Sequence, residues 1–275
     1  MAVTHIPTMG ATVRLKPAGH SVTNLLASEW TKIRSVRSTY WTLVAAAATI
    51  IGLSAIICAV FVAQFANLTA EDKAGFDAAS ASLTGGILGQ FAIAVLGVLV
   101  ITGEYASGMI RTTFSAVPKR LPVLAAKVAV FGAVTLAATT TACFIAFYIG
   151  QAILSAKDIG VSIGTPNALR TVVGTGLYLT ILGLLSLGLG ALLRKTAGAI
   201  SAVVGILFVL PVLASFLPSS LEGIQKYLPS NAGQIIVGGA GGEDTLTPWV
   251  GLGVFFLYAV AALAAAAFTL VHRDA

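Results

Sequence analysis

Apolar stretches long enough to cross a bilayer alternate along this chain with short polar segments. A helix needs roughly 20 apolar residues to span the hydrocarbon core. Six segments reach that length: Tyr40 to Phe65, Leu83 to Thr102, Val123 to Ile149, Thr171 to Leu193, Thr196 to Leu217 and Pro248 to Val271. Arg194 and Lys195 alone separate the fourth from the fifth, which predicts a tight hairpin. Ahead of the first span, Val22, Leu25, Leu26, Ile33 and Val36 fall on one side of a helix. Lys32, Ser35 and Asn24 fall elsewhere, with Arg34 and Arg37 at the flanks. A basic amphipathic helix next to a span lies in the membrane interface, and Trp30, Tyr40 and Trp41 suit that depth. The pattern therefore predicts an amphipathic elbow helix over residues 21–38, with Ser21 as its cap. Residues 1–20 read as a disordered tail, and residues 39–275 as one transmembrane domain. Between the last two spans, Leu221 to Leu228 and Gln234 to Val237 are too short to cross. They fit re-entrant or interfacial helices on the outer side.

Composition makes the membrane reading close to forced. The chain is 57% hydrophobic and 9% charged, against about 25% charged in a soluble domain. With the N-terminus inside, the inner segments hold twelve of the basic residues and three of the acidic ones, and the outer loops hold four and seven. That asymmetry follows the positive-inside rule. It assigns the net charge of +6 to topology and contact with anionic lipid, not to nucleic acid. The expected location is the plasma (inner) membrane, with both termini cytoplasmic. The long apolar run from Tyr40 and the polar residues before it read as a retained anchor, not a signal peptide. Cys58 and Cys143 lie inside apolar runs as small hydrophobes, without metal-ligand spacing.

Several chemistries are missing. No G-x-x-x-x-G-K-[ST] loop occurs, so the chain carries no phosphate-cradling element of its own. No H-E-x-x-H or G-x-S-x-G pattern occurs, and His5, His20 and His272 lie outside the spans. An enzyme is not expected, and no catalytic or metal-binding residue is assigned. Ion-coupled carriers place charge near the midplane. Here the candidates are Glu104 and Lys127, both near the inner boundary. A translocation path would be lined by polar uncharged residues such as Gln90, Thr135 and Thr139. Such side chains also serve as helix–helix packing contacts, and Gly183, Gly188 and Gly190 read as close-packing positions.

The segment Glu104-Tyr105…Gly108-Met109-Ile110-Arg111-Thr112-Thr113…Pro118-Lys119-Arg120…Ala126-Lys127 resembles the loop after the second span of ABC-2-type permeases, the membrane subunits of a class of ATP-binding-cassette exporters. Glu29-Trp30-Thr31-Lys32-Ile33-Arg34-Ser35…Ser38-Thr39-Tyr40-Trp41 resembles the elbow helix of many actinobacterial members, and His272-Arg273-Asp274 the usual ending. The resemblance implies an all-α, type V exporter-like fold of six spans. It implies an elbow helix with Trp30, Lys32, Arg34 and Arg37, and a coupling helix with Glu104, Tyr105, Gly108, Met109, Ile110, Arg111 and Phe114. It also implies a dimer with an identical or related permease subunit. The resemblance further implies that a separate cytosolic ATPase handles ATP and magnesium and that this chain binds no cofactor. Three details follow from the loop. Met109, Ile110 and Phe114 fall at helical spacing that could fill a partner's groove, Gly108 allows close backbone approach, and Pro118 ends the helix. Glu104 could pair with Arg111 or Lys127. The export of an apolar or amphipathic substrate is the function this favours; an ATPase-independent secondary transporter or channel is the alternative.

Overall fold

Hydrocarbon offers no partner to a backbone amide, so apolar segments that cross it fold as helices with every amide bonded internally. A computed structural model describes residues 21–117, 119–216, 218–238 and 245–272. The expected tail over residues 1–20, Pro118 and Leu217 lie outside the described residues. Twelve α-helices and no strand occur among the described residues: α1 (Val22–Ser35), α2 (Arg37–Gln64), α3 (Ala70–Ala74), α4 (Ala78–Ala81), α5 (Gly86–Ala106), α6 (Met109–Ala116), α7 (Arg120–Leu154), α8 (Pro166–Leu193), α9 (Thr196–Val204), α10 (Leu210–Ala214), α11 (Pro229–Gln234) and α12 (Pro248–His272).

Six helical units are long and apolar enough to cross a membrane: α2, α5, α7, α8, the α9–α10 pair and α12. The protein is an all-α, multi-pass membrane protein. Its 35-residue α7 rises 1.5 Å per residue to about 52 Å, well beyond the roughly 30 Å hydrocarbon core. Arg120 and Lys127 lie in its first three turns.

At the centre is α8, the most buried span, with α5, α7 and α12 packed on it. Helices in lipid gain little from hydrophobic burial against one another, so close backbone approach matters most. A side chain at Gly97 of α5 would collide with the Gly183 carbonyl of α8. Gly188 lies against Ala262 of α12 in the same way, and Gly190 against Ile101. Large apolar side chains such as Ile56, Leu257 and Phe268 point outward, as lipid-facing positions do.

Successive spans run in opposite senses. Thr196 Oγ1 at the start of α9 lies 2.9 Å from Thr102 Oγ1 near the end of α5, and Arg120 Nη1 donates to the Leu270 carbonyl at the end of α12. These contacts, with α1 and α6, mark one end of the bundle, here called the basic end. At the far end Gln151 donates to the Ala78 carbonyl and Ser82, and Ser80 donates to the Val237 carbonyl. There the segment after the fifth span forms a 3-10 helix, Ser219–Tyr227, followed by α11. The buried turn after α11 sets Ile236 against Gly174 of α8.

Three local features differ from the sequence expectation. The elbow ends at Ser35, and extended Val36 redirects the chain so that Arg37 and Ser38 open α2. Ser21 stands at the cap position but makes no capping bond; its hydroxyl meets Thr23 Oγ1 instead. The fifth span is not a uniform helix: Gly205–Val209 widen into a π turn between α9 and α10. Pro211 explains it, because its missing N–H and its ring disrupt the bond to the residue four back, and a wider turn absorbs the defect. The hairpin at Arg194 and Lys195 forms as expected, with Arg194 in the left-handed region at φ 57°.

Candidate functional site

Four charged residues from three elements meet at the basic end. Glu29 comes from α1, Lys32 from the next turn of α1, Glu104 from the last turn of α5 and Lys127 from the third turn of α7. Lys127 Nζ lies 2.6 Å from Glu29 Oε2 and 2.8 Å from Glu104 Oε1. Lys32 Nζ lies 2.7 Å from Glu29 Oε1 and 3.1 Å from Glu104 Oε1. Each carboxylate thus bridges both ammonium groups. The Lys127, Glu29 and Glu104 side chains are 3%, 4% and 8% exposed, and that of Lys32 is 23% exposed. Charges removed from water to this degree survive only when paired. Burial by itself would lower the Lys32 pKa, but the hydrogen bond it donates to Glu29 and the charge of Glu104 outweigh it and hold that pKa above the usual lysine value. Lys32 therefore stays charged at neutral pH, and its contribution to stability fades only as alkaline pH passes that raised value. Glu104 Oε2 is buried without a hydrogen-bond partner among the described residues.

Next to this cluster α5 turns into α6. Gly108 makes the turn at φ 71°, a conformation that costs any other L-residue roughly 1–2 kcal/mol. The expected reason for this glycine was close backbone approach. A Cβ at Gly108 would meet nothing within 4 Å, so the backbone angle is the reason. Two guanidinium groups lie over aromatic rings of this junction: Arg194 is 5.4 Å from the Tyr105 centroid and Arg120 5.5 Å from that of Phe114.

The structure brings together some of the sequence candidates and separates others. Glu104 pairs with Lys127, one of its two expected partners. Arg111, the other, is exposed on α6, and no Glu104–Arg111 ion pair forms among the described residues. Ile110 is buried in the chain's own core, and Phe114 packs against the same core. Ile110 is thus covered within this chain, while Phe114 keeps part of its surface exposed. Met109, Arg111, Thr112 and Ser115 remain outward. Trp30, Arg34 and Arg37 are exposed, and Lys32 belongs to the cluster. An open cleft of about 280 Å³ separates α1 from α6, lined by Leu25, Ser28, Glu29, Thr112, Thr113 and Ala116 among others.

Gln90, Thr135 and Thr139 are buried within one bundle. Thr139 Oγ1 bridges helices, 2.8 Å from the Thr135 carbonyl and 3.1 Å from the Gly176 carbonyl. That is a packing contact between α7 and α8. Gln90 Oε1 accepts from the Tyr178 hydroxyl, and Gln90 also borders a cavity of about 230 Å³ near the far end.

Sequence reasoning overlooked Glu29, Arg120 and Arg194 as members of this site. Among the described residues no group of three His, Cys, Asp or Glu side chains is placed to hold a metal. No protein-family model matches the sequence, and no curated protein does.

Proposed function

We propose that this chain is the membrane-spanning subunit of an ATP-driven exporter, with the basic end in the cytoplasm and the α1–α6 platform docked on a separate ATPase. The charge cluster carries the reading. It ties a helix that precedes the first span, and the junction that leads into α6, to the root of α7. A displacement of α1 or α6 by a partner is thereby transmitted to α5 and α7 together. Coupling needs such an element, in contact with both partners and able to hold discrete arrangements. The outward row Met109, Arg111, Thr112 and Ser115, and the cleft beside it, are the surface that partner meets.

In this reading both termini are cytoplasmic, and the short segments around α11 dip into the outer leaflet. ATP and magnesium stay on the ATPase. One six-helix bundle forms half of the path, and a second permease subunit, identical or related, forms the other half. Spans α5 and α9–α10 face it, where Phe91 stacks on Phe208 and Val209, Val212 and Leu213 are exposed. Within the spans charge is confined to their ends, which favours an apolar or amphipathic cargo.

Purification of the tagged chain from its native membrane in mild detergent is expected to retain a nucleotide-hydrolysing partner. Transport in membrane vesicles should stop when ATP is replaced by a non-hydrolysable analogue. A chain that purifies without an ATPase, and that transports under an ion gradient alone, overturns the proposal.

A further inference from the structure

One large concavity does not belong to the coupling platform. It is a groove of about 970 Å³ between α2 and α7, partly covered by α1. Tyr40, Leu43, Val44, Ala47 and Ile51 form one wall and the α7 residues from Ala129 to Ile145 the other, while Leu26, Ala27 and Trp30 close its basic end. The groove exists because the α7 wall is built mainly of alanine, whose side chains stop short of α2. Thr141 is the one polar residue on that wall. From Tyr40 to Ile51 the helix rises about 16 Å, close to half of the roughly 30 Å hydrocarbon core. The α7 wall from Ala129 to Ile145 is longer, about 24 Å, so the groove starts beside α1 and is at least one leaflet deep.

Its mouth is cationic by register. Arg34 follows Trp30 by four residues, one turn along α1, and Arg37 precedes Tyr40 by three on α2, so both guanidinium groups flank the corner where the groove opens. Both are exposed, and neither has an ion-pair or hydrogen-bond partner among the described residues. The nearby carboxylates cannot neutralise them, since Glu29 and Glu104 are committed to Lys32 and Lys127. Residues 1–20 contain no Asp or Glu at all. An apolar slot at least one leaflet deep, with two uncompensated guanidinium groups near its polar end, complements a molecule with the same division.

We infer that this groove is a binding site for an anionic phospholipid, with the headgroup phosphate between Arg34 and Arg37 and an acyl chain along α2 and α7 beneath Trp30. The inference rests on the membrane placement and on the basic end facing the anionic leaflet; it does not require an ATPase partner. Arginine pairs bind phosphate through forked, charge-assisted hydrogen bonds, and basic residues at a membrane surface favour anionic lipid by about 1 kcal/mol each. A bound lipid would also brace α1 against the first and third spans, next to the charge cluster.

The test uses the full chain alone, in nanodiscs and by native mass spectrometry after detergent washing, with phosphatidylglycerol and phosphatidylcholine as probes. Wild type is expected to retain one phosphatidylglycerol per chain through washes that remove phosphatidylcholine. In the R34Q/R37Q variant that preference should fall about thirtyfold, the factor given by two basic side chains at about 1 kcal/mol each. Ala137→Phe, which fills the groove, should release lipid of either headgroup. A readout that leaves the groove unfilled guards against misfolding: phosphatidylglycerol with brominated acyl chains should quench the fluorescence of Trp30, itself a lining residue whose signal is identified by subtracting a Trp30→Phe variant, more in wild type than in R34Q/R37Q. Equal retention of the two lipids, an unchanged preference in R34Q/R37Q, or quenching that ignores the arginines would each overturn the site. None of these results bears on whether an ATPase docks at α6.

Discussion

Replacing Lys127 with methionine is expected to destabilise the protein by about 3–5 kcal/mol, the usual cost of removing one partner from a buried ion pair. Methionine nearly matches lysine in volume, so packing is not the cause. The loss leaves Glu29 and Glu104, both almost fully buried, to share Lys32 alone. One of the two must then enter the interior uncompensated or draw water into it. The effect should therefore be non-additive with a second change. Glu104→Gln removes a carboxylate and leaves Glu29 paired with Lys32, so the double variant Glu104→Gln/Lys127→Met should be more stable than Lys127→Met by itself. Exposed Lys119→Met is the control and should change little. Thermal unfolding in detergent measures all four. A cost for Lys127→Met under about 1 kcal/mol, or strict additivity in the double variant, contradicts the cluster as described.

The second large effect concerns the two faces of α6, which the structure separates by consequence. Met109→Asp together with Arg111→Glu alters only outward side chains, so insertion and melting temperature should stay close to wild type. If α6 docks on an ATPase, these positions sit in the contact. Losses of about 2 kcal/mol at such anchors weaken retention of the partner roughly thirtyfold. Phe114→Asp should behave in the opposite way. It places a carboxylate in the core that also holds Ile110 and Leu270, and it should lower stability before it affects docking. Co-purification and melting measured on the same samples distinguish the two. Reversed behaviour, with Phe114→Asp folding normally but losing the partner, would place the docking surface on the opposite face of α6.

The sequence made much of this architecture legible because lipid leaves the chain few options. Length and hydropathy located six spans to within a few residues, and the Arg194–Lys195 hairpin was evident from the absence of any other polar residue between two of them. What was not legible depends on how elements meet. Glu29 lies on the same stripe as Leu25 and Ile33, four residues from each, and is the one acidic residue before Glu71. A carboxylate in the middle of an apolar stripe has to find a buried cation, and that signal was available. Which cation it finds was not, because Lys127 is 98 residues away and the register between α1 and α7 is a tertiary property. Helical spacing reveals the apolar face of α6 but does not say whether this chain or another covers it; here Ile110 is buried within the chain and Phe114 is partly so. The left-handed turn at Gly108 is visible only in the backbone. The π turn at Gly205–Val209 could have been anticipated from Pro211, which interrupts an otherwise uniform apolar run.

The proposed contact between the outward face of α6 and a separate ATPase is open to crosslinking in living cells. A photoreactive amino acid would replace Met109, Arg111 or Thr112 in turn, with lipid-facing Leu257 as the control, and the captured protein would be identified by mass spectrometry. The three α6 positions are expected to capture one and the same partner, a soluble protein carrying a G-x-x-x-x-G-K-[ST] nucleotide-binding loop, and Leu257 is not. Capture of no such ATPase from any of the three positions, with the variants correctly inserted, contradicts it.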